Sequence, residues 1–222
     1  MRRLFKSLVF VLCLIPMGLT TYGLLAGNIR GDWVKEITHQ TGYWGLIIIT
    51  ATLATTPLRR LTGLNQLQSY RRMLGLFGFF YICVHFLVIY VILDKQVPWA
   101  PGPAWHEIVK DIAKRPYITV GFAGWLLMIP LALTSTKKSI KRLGKGWVKL
   151  HALIYVTAMC GVIHFMWSVK ADRARPTTIG IILIVLLLLR LVPVRLFQKL
   201  RGHAAVKPDS LDRGPDVAAL AD

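Results

Sequence analysis

"VKLHALIYVTAMCGVIHFMW" (residues 148–167) is an almost wholly apolar run that nevertheless carries two histidines, His151 and His164. Its length points to the fold class. A helix of about 20 residues spans roughly 30 Å, the hydrocarbon thickness of a bilayer. Only helices and closed barrels satisfy their own backbone hydrogen bonds there, and this run lacks the strict alternation of a barrel strand. The imidazoles then need a reason. Burying an unpaired polar group in hydrocarbon costs on the order of 2 kcal/mol or more.

The rest of the chain is built similarly. Its 222 residues are 55% hydrophobic, with a mean hydropathy of +0.53, more apolar surface than a soluble domain of that size buries. Six spans are predicted, at about 8–26, 42–58, 73–93, 116–135, 147–168 and 177–194. Short connections make them one unit. The expected fold is all-α: a polytopic membrane bundle of six transmembrane helices over residues 1–200, then a polar, disordered cytoplasmic tail over 201–222. No repeat with a period of about 20 to 50 residues is evident. The start, "MRRLFKSLVF", resembles a twin-arginine signal, but no convincing small-x-small cleavage site follows, so a retained first helix is expected.

The net charge of +18 does not indicate nucleic acid. Basic residues cluster at the ends of apolar runs, without the interleaved aromatics of a nucleic-acid surface. With both termini in the cytoplasm, 19 of the 28 basic residues fall inside and 9 outside, the asymmetry expected of a multi-pass protein in that orientation. The cysteines, Cys13, Cys83 and Cys160, lie singly in apolar runs and read as packing residues.

Of six histidines, His203 falls in the tail, and His39 and His106 are assigned to outside loops. His85, His151 and His164 lie within spans. Intramembrane ionisable residues usually face the bundle interior and mark function. With no acidic residue in the spans to make a proton relay, three such histidines point to metal or heme ligation. Thirteen helical residues separate His151 from His164 by about 20 Å, too far for one iron. His85 lies roughly 18 Å from the inner end of its span, His164 roughly 24 Å and His151 roughly 5 Å. His85 and His164 are therefore the matched pair on the outer half, and His151 marks a second, inner site. Opposite His151 lies "SYRRMLG" (residues 69–75), whose Arg71 and Arg72 read as positive-inside anchors or as holders of an anionic group, a heme propionate or a flavin phosphate.

Other features admit two readings each. Gly75, Gly78 and Gly161 make room for a flat macrocycle or for a neighbouring helix. Tyr81, Tyr90, Tyr155, Trp125 and Trp167 line a cofactor or belong to interfacial belts. The basic loop "TSTKKSIKRLGKGW" (residues 134–147) is solvated or docks an acidic partner. Residues 94–116 hold Pro98, Pro101, Pro103 and Pro116 and are expected to form a stiff, exposed platform presenting Trp99, Trp105 and His106.

"RRMLGLFGFFYICVHFLVIY", "RPYITVGFAGWLLMIPLALTSTKKSIKRLGKGWVKLHALIYV" and "IHFMWSVK" together carry a resemblance that runs from about Trp33 to Phe197. They resemble the heme-binding membrane subunits of bacterial periplasmic protein-methionine-sulfoxide reductase systems (the MsrQ/YedZ family), in the ferric-reductase-like superfamily that also contains NADPH oxidases. Those larger relatives stack two b hemes between two helices with two histidines each. Here His151 and His164 match the pair on the later helix and His85 the outer one on the earlier helix, while the inner position falls near Arg71. The resemblance implies heme b, one or two per chain, and FMN, with the inner site near Arg71, Arg72 and His151 a place for the flavin. It implies an inner-membrane electron-transfer subunit without substrate chemistry of its own. Its donor would be a cytoplasmic flavin reductase or the quinone pool, and its acceptor a periplasmic molybdenum-cofactor subunit that repairs oxidised methionine. The residues themselves leave two other readings open, a stand-alone transmembrane ferric reductase and a non-redox transporter using membrane histidines.

Overall fold

The computed structural model describes residues 2–28, 31–95, 98–99, 101–169 and 173–193; the expected tail over 201–222 lies outside them. The described residues form helices and no strand. They are α1 (Arg2–Leu25), α2 (Trp33–Thr62), α3 (Gln68–Cys83), α4 (Pro101–Lys114), α5 (Pro116–Leu133), α6 (Lys137–Leu143), α7 (Lys145–His151), α8 (Leu153–Ser168) and α9 (Ala174–Leu191). A single 3₁₀ turn, Asn65–Leu67, precedes α3, and a π-helical segment, Val84–Asp94, continues it.

Five of these stretches are long and apolar enough to cross a membrane: Leu4–Leu25, Asn65–Asp94, Pro116–Leu133, Lys145–Ser168 and Ala174–Leu191. The remaining expected span, 42–58, falls inside α2, a 30-residue helix whose threonines lower its hydropathy. Most of those hydroxyls bond back to their own helix; Thr41, Thr50 and Thr52 donate to carbonyls four residues earlier at 2.8 Å, while the buried Thr56 hydroxyl has no partner among the described residues. Being half-polar, α2 is the central helix. Its Ile49 and Leu53 pack with Met128 and Leu131 of α5, Ile154 and Ala158 of α8 and Leu183 of α9. Apolar residues of α1 and α9, such as Leu4, Leu19, Ile181 and Leu188, stay exposed, as a lipid-facing surface requires.

Local chemistry fixes the ends. Asp32 caps α2 by accepting from the Lys35 amide at 3.1 Å, and Gly63 ends it in the left-handed conformation at φ 76°. Pro16 removes an amide from α1. The Tyr81 hydroxyl enters that gap, donating to the Cys13 carbonyl at 2.8 Å and accepting from the Met17 amide at 3.0 Å. Tyr81 thus docks α1 and lines neither of the two cavities described below. Arg190 of α9 donates to Tyr155 and to the Leu53 carbonyl, tying α9 to α8 and α2.

Residues 94–116 differ from the platform expected. Pro101 and Pro103 sit in the first turn of α4, where no helix bond needs their missing amides, and the helix runs on to Lys114. It buries Ala104, Ile108 and Asp111 and exposes Trp105 and Val109, with Trp99 exposed just before it.

Candidate functional site

His85 opens the π-helical segment and His164 lies near the end of α8, and their ring centroids are 6.1 Å apart. Each ring is held in the same way. Nδ1–H of His85 donates to the Thr38 carbonyl of α2 at 2.9 Å, and Nδ1–H of His164 to the Tyr117 carbonyl of α5 at 2.7 Å. A carbonyl only accepts, so the proton is fixed on Nδ1 in both rings and each Nε2 keeps its lone pair. The glycine one turn further along each carbonyl's helix lies against the ring. A Cβ on Gly42 would stand 3.0 Å from Nδ1 of His85, and one on Gly121 2.6 Å from Nδ1 of His164.

The pair lies in a cavity of about 420 Å³ with a mostly apolar wall that includes Leu46, Phe86, Trp125 and Phe165. Its mouth is charged. Lys95 lies 3.1 Å from Asp111, 3.5 Å from Glu107 and 3.6 Å from Asp94, and Arg115 lies 3.1 Å from Asp111. Burial pushes the Asp111 carboxyl up, but bonds from Lys95 and Tyr90 and the nearby Arg115 outweigh it and hold the group below the usual carboxylate range. Burial likewise lowers the Lys95 ammonium, and its three carboxylates more than restore it.

A second cavity, of about 230 Å³, is lined by Arg71, Arg72, Gln68, Ser135, Trp147 and His151; Met128 lines both cavities. His151 is held differently from the other two. Its ring stacks on Trp147 at 3.9 Å, and Nε2 lies 3.1 Å from the Thr134 hydroxyl. That hydroxyl spends its own proton on the Pro130 carbonyl at 2.6 Å, so Nε2–H of His151 donates and Nδ1 keeps the lone pair.

The structure thus brings together His85 and His164, and places His151, Arg71 and Arg72 around one separate cavity. His39, assigned to a loop from sequence, lies within α2 and lines the paired-histidine cavity. Gly78 packs on Ile49 of α2 and serves helix contact, while Gly161 lies against Leu46 of α2 and also lines the paired-histidine cavity. Gly42 and Gly121 were missed, although a signal exists. The two histidines and the residues that hold them recur at a single offset of 79 residues, the one that takes His85 to His164. "THQTGYWG" (38–45) then aligns with "YITVGFAG" (117–124), and "YICVHF" (81–86) with "CGVIHF" (160–165). Both carbonyls, both wedging glycines and both histidines fall in register. So do Thr55 with Thr134 and Arg72 with His151, one residue on from the Arg71 that the resemblance indicates.

Comparison with known proteins agrees with this architecture. Residues 41–162 match the family described as ferric reductase like transmembrane component. The protein-methionine-sulfoxide reductase heme-binding subunit MsrQ of Rhodospirillum rubrum is 46% identical over 86% of this chain and 89% of its own. The proteins of that name from Xanthomonas axonopodis pv. citri and Herminiimonas arsenicoxydans are each 44% identical, the first over 82% of this chain and 83% of its own, the second over 84% of both. The chain is therefore a multi-pass membrane protein that belongs to the ferric-reductase-like transmembrane family and, within it, to the family of MsrQ heme-binding subunits.

Proposed function

We propose that the chain is a b-type heme electron-transfer subunit of a methionine-sulfoxide reductase system. The observation that carries this reading is the 6.1 Å between the His85 and His164 ring centroids. Iron about 2 Å from each of two imidazole nitrogens sets the ring centres roughly 6 Å apart. The carbonyl-bonded Nδ1 atoms leave Nε2 as the donor on both sides. Among the described residues no group of three or more His, Cys, Asp or Glu could hold a bare metal ion, and two imidazoles suit a metal that brings its own equatorial ligands.

When bound, heme supplies one-electron redox chemistry. The protein does the rest. His85 and His164 bind, the apolar wall keeps out water, and the charged mouth holds α4 over the cavity. Arg71, Arg72 and His151 hold an anionic group at the second cavity, either a heme carboxylate or the phosphate of FMN. Heme and flavin assays per chain, on wild type and on Arg72→Ala, separate these two sources.

The orientation that fits is the one with both termini in the cytoplasm of a bacterial inner membrane. Electrons then enter near the arginine-lined cavity, from a flavin reductase or quinol, and leave from the paired-histidine cavity to a periplasmic molybdenum-cofactor subunit. The test is stopped-flow oxidation of dithionite-reduced heme on adding that subunit with a methionine sulfoxide. Rapid oxidation supports the reading. Heme that stays reduced with the partner, yet is oxidised at once by ferric chelates, would establish a stand-alone ferric reductase instead.

A further inference from the structure

The planes of the His85 and His164 rings stand 80° apart. Edge-to-face crossing is an ordinary arrangement for two neighbouring rings, but here each ring is also held from behind. Each ring has two constraints, both from one neighbouring helix. A carbonyl takes the Nδ1 proton, and a glycine four residues on lies against the ring. At Gly121 the fit leaves no room for a side chain, since a Cβ would stand 2.6 Å from Nδ1 and 2.9 Å from Cγ of His164. At Gly42 a Cβ would stand 3.0 Å from both Nδ1 and Cε1 of His85, a milder clash. A side chain at Gly121 must displace the His164 ring, and one at Gly42 needs the His85 ring to give by a few tenths of an ångström. The construction occurs twice, 79 residues apart, although the residues between the glycine and the histidine differ almost throughout.

We propose that Gly42 and Gly121 are positioning residues that hold the two axial imidazoles nearly perpendicular and so set the electronic state of the bound heme. This rests on His85 and His164 being the axial ligands. An imidazole donates π density in the direction normal to its plane. Parallel rings load one of the two iron d orbitals that accept it and split the pair. Perpendicular rings load the two alike and leave them nearly equal in energy. A low-spin ferric ion of the second kind gives a single EPR feature at unusually large g, and one of the first kind a rhombic three-line signal. The Nδ1–H···O=C bonds also raise the donor strength of both rings, which stabilises ferric iron and lowers the midpoint potential.

The test uses the purified full-length protein in detergent, with heme content, ferric EPR and potentiometry on each variant. Wild type is expected to give the large-g signal. Gly121→Ala is expected to turn it rhombic or high-spin and to raise the potential, and Gly42→Ala to act in the same direction by less. Gly18→Ala on α1, whose Cβ would meet nothing within 4 Å, is the control expected to match wild type. If Gly121→Ala loses heme, Gly42→Ala decides alone. A rhombic wild-type signal overturns the proposal, and so do glycine variants that keep heme with wild-type EPR and potential. Low-spin heme that survives His85→Ala and His164→Ala would instead show that the ligand reading has failed.

Discussion

The two cavities draw on residues that pair at the same 79-residue offset and are finished differently. At one, the repeat is kept to the residue: carbonyl, glycine and histidine from each half meet across a shared space. At the other the repeat is broken, with His151 on one side and Arg72 in its register position on the other. The tautomers differ as well. The paired rings are fixed with Nε2 free, whereas Thr134 takes the Nε2 proton of His151 and leaves Nδ1, the nitrogen nearer its own backbone. The same offset thus joins two imidazoles at one cavity and an imidazole and a guanidinium at the other, the difference on which the proposed ligand pair and anion pocket rest.

The largest effect that can break this contrast comes from the ligands. His85→Ala or His164→Ala should abolish the low-spin heme signal, because the iron loses one of two axial imidazoles. His151→Ala should leave that signal intact. Optical and EPR spectra of the three variants check this, and the reverse pattern would mean that the wrong histidines have been paired.

A second experiment sharpens the contrast. Arg72→His alone should add no low-spin heme, because Thr134 still holds the Nε2 of His151. Arg72→His with Thr134→Ala removes that restraint and should raise low-spin heme per chain. A wild-type protein already carrying two low-spin hemes would refute the distinction between the cavities.

The contrast also explains what was legible in the sequence. Histidines in an apolar span stand out because their desolvation cost has to be met, so His85, His151 and His164 could be singled out directly. The rise per residue of a helix was enough to separate the pair from the third. What holds the rings could not be read that way. Thr38 and Tyr117 act through backbone carbonyls, which carry no side-chain signature, and each lies 47 residues from its histidine. Only the 79-residue register exposes them, and it is longer than the periods at which repeats are usually sought. His39 was misplaced because α2 begins at Trp33, well before its apolar part, on a cap and two polar turns. The π-helical turn of the chain at His85 has no evident local cause. For residues 94–116, proline content suggested a stiff, exposed loop platform; Trp99 and Trp105 are exposed as expected, but residues 101–114 are helical. The burial of Ala104, Ile108 and Asp111 shows the helical period instead.

The smallest effect concerns the mouth that only the paired-histidine cavity possesses. Asp111 accepts from the Tyr90 hydroxyl at 3.0 Å and pairs with Lys95 and Arg115, fastening α4 to the π-helical segment and the start of α5. Its side chain is only 12% exposed, so the interaction is weakly screened. Asp111→Asn keeps the shape and removes the charge. Lys95 retains Asp94 and Glu107, so the loss should be roughly 1–2 kcal/mol locally. Amide exchange in α4 should speed up accordingly, while the heme spectrum stays unchanged. The sign with pH follows from a carboxyl held below its usual range. Its contribution is fully present above the unfolded-state value of about 3.9 and is lost as pH falls through the lower folded-state value. Protection of α4 in the wild type should therefore persist through neutral and mildly acidic pH and decline only below about pH 4. In Asp111→Asn that acid-dependent step should be missing. If α4 instead loosens near pH 6 in the wild type, the latch is not this carboxylate, and the charged mouth would no longer distinguish one cavity from the other.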